Sequence, residues 1–260
     1  MTNEDHLKIA FEAAKKAVAI IQSYYEAEYK ISTKEANKTF VTEVDEKVEQ
    51  AIISILKKET PYSFLGEESG ESDNISEWQW VIDPIDGTKN FIRKLPFFAT
   101  SIGLMKNGKI EMGVIANPIQ EEYFSAAKGL GATLNGKSIT VSSTEYLADS
   151  ILFHSHGHGI ESRERFSMLN NELATKCSMR KIGTTALELC YVANGGVDAF
   201  VSSGDEIWDY AAGLLIVEEA GGKITDWHGN DWSKGNSYIL ATNNKVHKDF
   251  LEYTSGFQTE

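Results

Sequence analysis

Three patterns place this chain in the mixed α/β class: two helical stretches with one apolar face at the start, a run of strands joined by Gly- and Asn-rich turns, and alternating strands and helices after Ser150. Leu7, Ala10, Phe11, Ala14, Ala17, Val18 and Ile21 recur at every third or fourth position, predicting a helix that ends near Tyr25. Thr42 is a cap for a second helix carrying Val44, Val48, Ala51, Ile52 and Ile55, with Asp45 in its first turn. Trp78 to Ile82, Phe97 to Met105, Ile110 to Ala116 and Glu122 to Ala126 then read as strands of an antiparallel meander, with Lys106-Asn107-Gly108-Lys109 as one of its turns. Gly129-Leu130-Gly131-Ala132 and Asn135-Gly136-Lys137 mark two further turns. Beyond Ser150 the sequence predicts strands at 151–153, 179–182, 197–201 and 223–225, with helices near 161–174, 185–193 and 210–220 between them, so that helices cover a sheet. There is no internal repeat, low-complexity tract or flexible linker.

The chemistry concentrates where the apolar run Trp78, Trp80, Val81, Ile82 delivers Asp83-Pro84-Ile85-Asp86-Gly87-Thr88. Pro84 is expected to end the strand because it has no N–H for the ladder, and Gly87 lets backbone approach a ligand closely. Two hard oxygen donors, Asp83 and Asp86, suit Mg²⁺, while the amides of Gly87 and Thr88 would face a phosphate if they open a helix through Lys89-Asn90-Phe91. A second acidic pair, Gly66-Glu67-Glu68-Ser69, follows the apolar stub Tyr62-Ser63-Phe64-Leu65, and adjacent carboxylates repel unless a cation joins them. A third acid, Asp209 after Trp208, precedes a helical pattern and so would sit at a helix N-terminus, where the dipole favours it.

Composition narrows the class. A chain of 260 residues that is 42% hydrophobic can bury a sizeable core, and its net charge of -13 argues against an electrostatic grip on nucleic acid. No apolar run is long enough for a bilayer, and the N-terminus lacks a basic-then-apolar leader, which predicts a cytoplasmic protein that needs no membrane. Cys177 and Cys190 are too few for a disulfide framework and read as reduced, packed thiols.

The order and flanks of Val41-Thr42-Glu43-Val44-Asp45, Gly66-Glu67-Glu68-Ser69, Trp80 to Asn90 and Trp208 to Gly222 resemble the inositol monophosphatase family of Mg²⁺-dependent, Li⁺-sensitive phosphatases, from the first helix to about Ala241. A haloacid-dehalogenase reading is disfavoured because the aspartates of that motif are one residue apart, whereas Pro84 and Ile85 intervene here. The resemblance implies a layered α/β/α/β/α sandwich: an N-terminal α+β half, residues 1–147, with most of the metal ligands, and a C-terminal α/β half, residues 148–260, with Asp209 and substrate-pocket elements. It further implies two or three Mg²⁺ per subunit, with Mn²⁺ as a substitute, and a homodimer. Glu67, Asp83 and the Ile85 carbonyl would hold a first ion; Asp83, Asp86 and Asp209 a second. Thr88 and Asp45 would orient the attacking water, Glu68 would support the site through water, and Gly87 and Thr88 would hold phosphate.

Substrate contacts are less determined. Thr185 lies where the family touches substrate, but Ser202 stands where members acting on inositol phosphates carry a sugar-binding Glu, and Asp205 or Glu206 would have to supply that carboxylate. Inositol 1-phosphate leads, with histidinol phosphate, fructose 1,6-bisphosphate and phosphoadenosine phosphate as alternatives and a non-catalytic interaction protein as a different class. His154-Ser155-His156-Gly157-His158 would align imidazoles in an extended chain, but its glycines favour a loop over a metal site.

Overall fold

The computed structural model describes residues 1–34 and 39–257 and stacks five layers, helices and sheets in alternation. The outermost layer is α1 (Asn3–Tyr25) and α2 (Glu43–Glu59), joined through a hairpin of β1 (Ile31–Lys34) and β2 (Thr39–Thr42) that the sequence reading missed. Thr2 and Thr42 each begin their helix with a reciprocal cap, trading hydrogen bonds with Asp5 and Asp45. Both helices turn their apolar stripe inward, Ala10, Ala13, Ala14, Ala17 and Ile21 from α1 and Val48, Ile52 and Leu56 from α2.

Beneath them lies an eight-stranded sheet built from β3 (Ser63–Gly66), β4 (Gly70–Glu71), β5 (Trp78–Asp86), β6 (Ala99–Lys106), β7 (Lys109–Asn117), β8 (Glu122–Ala127), β9 (Ala132–Leu134) and β10 (Lys137–Ser138). A short helix, α3 (Thr88–Ile92), follows β5. The spatial order is β10-β9-β8-β7-β6-β5-β3-β4, antiparallel except where β3 runs beside β5. The two expected turns after β8 are therefore the ends of a small β9–β10 extension of the meander.

The second sheet has the order β12-β11-β13-β15-β14 and comprises β11 (Ile151–His156), β12 (Ser178–Arg180), β13 (Ala199–Ser203), β14 (Lys223–Thr225) and β15 (Tyr238–Thr242). The connecting helices are α4 (Ile160–Leu173), α5 (Thr185–Ala193) and α6 (Ile207–Glu219), and α7 (His247–Thr254) closes the described chain. The pair α5 and α6 fills the space between the sheets, while α4 and α7 cover the far face. Each layer boundary has its own apolar cluster: Ile21, Val48, Trp80 and Phe98 outside, Phe124, Leu189, Phe200 and Ile216 between the sheets, and Leu152, Leu173, Trp227 and Phe250 on the far side. Cys190 is buried in the central cluster and Cys177 is partly buried, both as free thiols.

Pro84 does not end its strand. The pairing of β5 with β6 continues to Asp86 and slips on the way: Asp83 faces Ser101 and Asp86 faces Ala99, so Pro84 and Ile85 share the single partner position of Thr100. This bulge absorbs the missing N–H, because the Pro84 carbonyl is met by the Thr100 hydroxyl at 2.9 Å. It also decides the geometry of the motif. Carboxylates three residues apart on a regular strand point to opposite faces; the extra residue returns Asp83 and Asp86 to the same face, while Ile85 is buried in the outer cluster.

Helix α6 is seated on the eight-stranded sheet where side chains are absent. A Cβ on Gly113 would lie 2.6 Å from the Ala212 carbonyl oxygen, and one on Gly213 would lie 2.6 Å from the Leu189 side chain of α5. Gly113→Ala is expected to push α6 outward and lower the free energy of unfolding by about 1–3 kcal/mol, measured by denaturant titration. An unchanged midpoint would mean that the helix is not seated this closely.

Candidate metal and phosphate site

The bulge, the turn after β3 and the first turn of α6 meet beside a pocket of ≈ 250 Å³ whose walls include Glu67, Asp83, Ile85, Asp86, Gly87, Thr88, Thr185, Asp205 and Asp209. Oxygens of Asp83, Asp86 and Asp209 lie within 4.8 Å of one another. Asp209 occupies the first turn of α6, as its sequence context predicts, and accepts from the Glu206 amide at 2.8 Å. A single strand fixes both arms of the site: Thr100 of β6 holds the Pro84 carbonyl, and its neighbour Ser101 donates to the Trp208 carbonyl at 3.2 Å.

Burial and mutual repulsion dominate the electrostatics. Asp83 is raised well above the ordinary carboxylate range, first by desolvation and then by the charges of Glu67, Asp86, Asp209 and Asp45. Desolvation raises Asp86 to about 7 even though two hydrogen bonds, from the Thr184 hydroxyl at 2.7 Å and the Ala186 amide at 2.6 Å, favour its ionised form. Asp209 is raised by burial and by Asp205, Asp86 and Glu67. These three acids have no cationic side chain bonded to them among the described residues. One oxygen of Asp83 is buried with no hydrogen-bond partner at all. An orphaned carboxylate oxygen converging with two further carboxylates is what a hard divalent cation requires, and the all-oxygen donor set suits Mg²⁺ better than a softer metal.

Asp45 divides its oxygens between two tasks. One accepts from the Thr42 amide and hydroxyl, completing the cap of α2, and the other lies 3.3 Å from the Thr88 hydroxyl. Its pKa is raised to about 6 by burial, with the Thr42 bonds pulling the other way. Thr88 is the first residue of α3 rather than its cap; Gly87 takes that position with a left-handed φ of 91°. The Thr88 hydroxyl is also 3.1 Å from the Ile85 carbonyl.

Three expected site residues lie off the pocket wall: Asp45, which is fully buried and reaches it through Thr88, and Ser202 and Glu68. Ser202 is fully buried and donates to Asp205 at 2.6 Å, so the carboxylate beside the pocket at this point is Asp205, which also accepts from Thr185 at 2.9 Å. Glu68 does not line the pocket; its amide is drawn toward α2 instead. The acceptor there, Glu49, escaped the sequence reading. Its two oxygens receive the amides of Glu68 and Ser69 at 2.9 and 2.7 Å and so fix the turn that presents Glu67. The available signal was an acid one turn after Asp45, flanked by Val48 and Ile52 on the buried face. Thr184 was also missed, because its role depends on a partner 98 residues away.

Of the three histidines expected in a loop, only His158 lies in one, between β11 and α4. His154 and His156 are strand residues of β11, and His154 stacks on Phe166 with ring centroids 4.5 Å apart. Among the described residues only Asp83, Asp86 and Asp209 bring three candidate metal-binding side chains together.

Known proteins resemble this chain in sequence and fold across nearly its whole length. A protein of Pasteurella multocida named Nus factor SuhB is 37% identical over 252 residues, covering 94% of each chain. The crystal structure of the extragenic suppressor protein SuhB of Bartonella henselae superposes with a TM-score of 0.89 at 34% identity, covering 96% of this chain and 98% of that one. An inositol monophosphatase from Anabaena gives a TM-score of 0.86 at 34% identity, covering 98% and 97%. The inositol monophosphatase family description matches residues 2–256, so this chain belongs to the inositol monophosphatase family.

Proposed function

We propose that the chain is a Mg²⁺-dependent phosphomonoesterase acting on a small phosphorylated alcohol, inositol 1-phosphate being the first ester to test. The observation that carries this reading is the buried, unpartnered Asp83 oxygen converging with Asp86 and Asp209 beside Thr88 and Asp45. Glu67, Asp83 and the Ile85 carbonyl would hold one Mg²⁺, and Asp83, Asp86 and Asp209 another. When bound, such ions polarise phosphoryl oxygens, lower the pKa of water and stabilise the leaving oxygen.

The chain's own groups supply the remaining steps. Thr88 donates its hydroxyl proton toward Asp45, which leaves its oxygen lone pairs free to accept a proton from the attacking water. Asp45, near 6, titrates in the range useful to a general base close to neutral pH. Its other oxygen is tied to Thr42, so the carboxylate cannot rotate away. The Gly87 and Thr88 amides hold the phosphate. Asp205, anchored by Ser202 and Thr185, takes over hydroxyl recognition from the absent family Glu.

A second reading, a non-catalytic interaction protein on the same fold, is prompted by the relatives named Nus factor. Phosphate release with Mg²⁺, with and without Li⁺, from inositol 1-phosphate, histidinol phosphate, fructose 1,6-bisphosphate and phosphoadenosine phosphate separates the two. Silence across the panel favours the binding role.

Three outcomes are expected if the site is catalytic. Asp83→Asn lowers turnover by about a hundredfold or more while raising the metal-free melting temperature at pH 8, since it removes a buried charge from a repelling group; retained turnover refutes the metal assignment. Glu49→Gln loses one of its two amide contacts and weakens Mg²⁺ binding roughly 10- to 100-fold in a titration. The third concerns pH. Asp86 and Asp45 have folded-state values near 7 and 6, above their unfolded value of 3.8, so the folded chain binds more protons and its metal-free stability falls as pH rises from about 4 to 7. Mg²⁺ binds the deprotonated acids, so it should raise the melting temperature more at pH 8 than at pH 5; equal shifts contradict this.

A further inference from the structure

The segment from Ile182 to Ala186, at the entry to α5, joins the acidic side of the pocket to the side that carries Thr185 and Asp205. The Thr184 hydroxyl and the Ala186 amide donate to the same oxygen of Asp86 at 2.7 and 2.6 Å, so an acid of the metal cluster rests on the first turn of a helix, where the dipole favours it. Between them, the Thr185 hydroxyl donates to Asp205 at 2.9 Å. The turn expected to face phosphate lies against the same backbone: a Cβ on Gly87 would be 3.3 Å from the Gly183 carbonyl oxygen and 3.0 Å from that of Phe97.

Two side chains hold this segment, and no step of the reaction proposed above uses either. Asn90 of α3 donates its side-chain amide to the carbonyls of Phe97 at 2.7 Å and Ile182 at 2.8 Å. Glu188, in the first turn of α5, accepts the amides of Ile182 and Gly183 on one oxygen at 2.8 and 3.1 Å. Ile182 is thus gripped by its carbonyl from α3 and by its amide from α5. Glu188 is fully buried, and its second oxygen has no hydrogen-bond partner among the described residues. Burial raises Glu188 to about 8, against the pull of the two amide bonds, so the side chain is largely uncharged at neutral pH. The segment therefore needs an acceptor at position 188 rather than a charge.

We propose that Asn90 and Glu188 are positioning residues that lock the 182–186 segment, so that the orientation of Asp86 toward Mg²⁺ and the Thr185–Asp205 wall of the pocket are set together. An ion that fixes Asp86 then also fixes Thr185, and loss of either grip loosens both. This rests on the metal-dependent phosphomonoesterase reading above. Neither residue touches an ion or the ester; Glu188 acts on Asp86 through Thr184 and Ala186.

The test compares Mg²⁺ affinity, measured by calorimetry without substrate, in the full-length chain and in Glu188→Met, Glu188→Gln, Asn90→Ala, Thr184→Val and the pair Glu188→Met with Thr184→Val. Glu188→Met keeps the length of the side chain but removes the acceptor, and it should weaken Mg²⁺ binding about tenfold, as expected for buried amides left unpaired. Glu188→Gln keeps the acceptor and should stay within about threefold of the unaltered chain. Asn90→Ala loosens the segment from its other side and should weaken binding in the same direction, which keeps the test open if Glu188→Met does not fold. Because Glu188 acts through Thr184, the paired variant should fall well short of the product of its two single losses. With inositol 1-phosphate at saturating Mg²⁺, Glu188→Met should raise KM more than it lowers kcat. A grip that is merely structural lowers the melting temperature and leaves the Mg²⁺ affinity of the folded chain unchanged. That result, equal losses in the Gln and Met variants, or a paired variant at the full product overturns the proposal. If no ester is cleaved yet the Mg²⁺ affinities follow the expected pattern, the phosphatase reading fails and the positioning role stands; an unaltered chain that binds no Mg²⁺ overturns both.

Discussion

Negative charges confined away from water repel strongly, and the architecture of this chain follows from gathering Asp83, Asp86, Asp209 and Glu67 in one such place. No single element could present all four. The eight-stranded sheet supplies three from two of its strand ends, and the fourth arrives on a helix that lies between the sheets. The stacking of five layers therefore does more than bury apolar surface: it brings the start of α6 against the bulge of β5, and the glycines beneath α6 set how closely it comes. The repulsion that remains is a bias toward binding cations, built into the metal-free fold.

Around that cluster stands a ring of groups that touch no pocket solvent yet fix each acid. Glu49 clamps the turn bearing Glu67, Thr184 and Ala186 hold Asp86, and the Glu206 amide holds Asp209. Asp83 alone is left with a bare oxygen. The asymmetry fits the proposed metal assignment, in which the acid shared by two ions would need its lone pairs free while acids serving one ion could spend one on orientation.

Much of this was legible before any coordinates. Apolar periodicity gave α1, α2 and the meander, and the acidic motifs marked the acidic side of the pocket wall, because those signals are local in the chain. What escaped was decided over distance or by short elements. The β1–β2 hairpin and β15 have four and five residues per strand, too few for a firm pattern, and α7 carries a mixed polar surface. Pro84 was read by its usual effect on a ladder; the β6 side chains that rescue the bulge are distant in sequence. Ser202 aligned with a ligand position, but the hydroxyl turns to Asp205, which a position-by-position reading cannot foresee.

One strand, β6, carries on adjacent residues the hydroxyls that grip the Pro84 and Trp208 carbonyls. The backbone beside Asp83 and the backbone beside Asp209 thus share a common ruler, although 126 residues separate the two acids. A displacement of that strand would therefore act on the backbone beside both acids together. A site assembled from remote parts of the chain is thereby referred to a single strand.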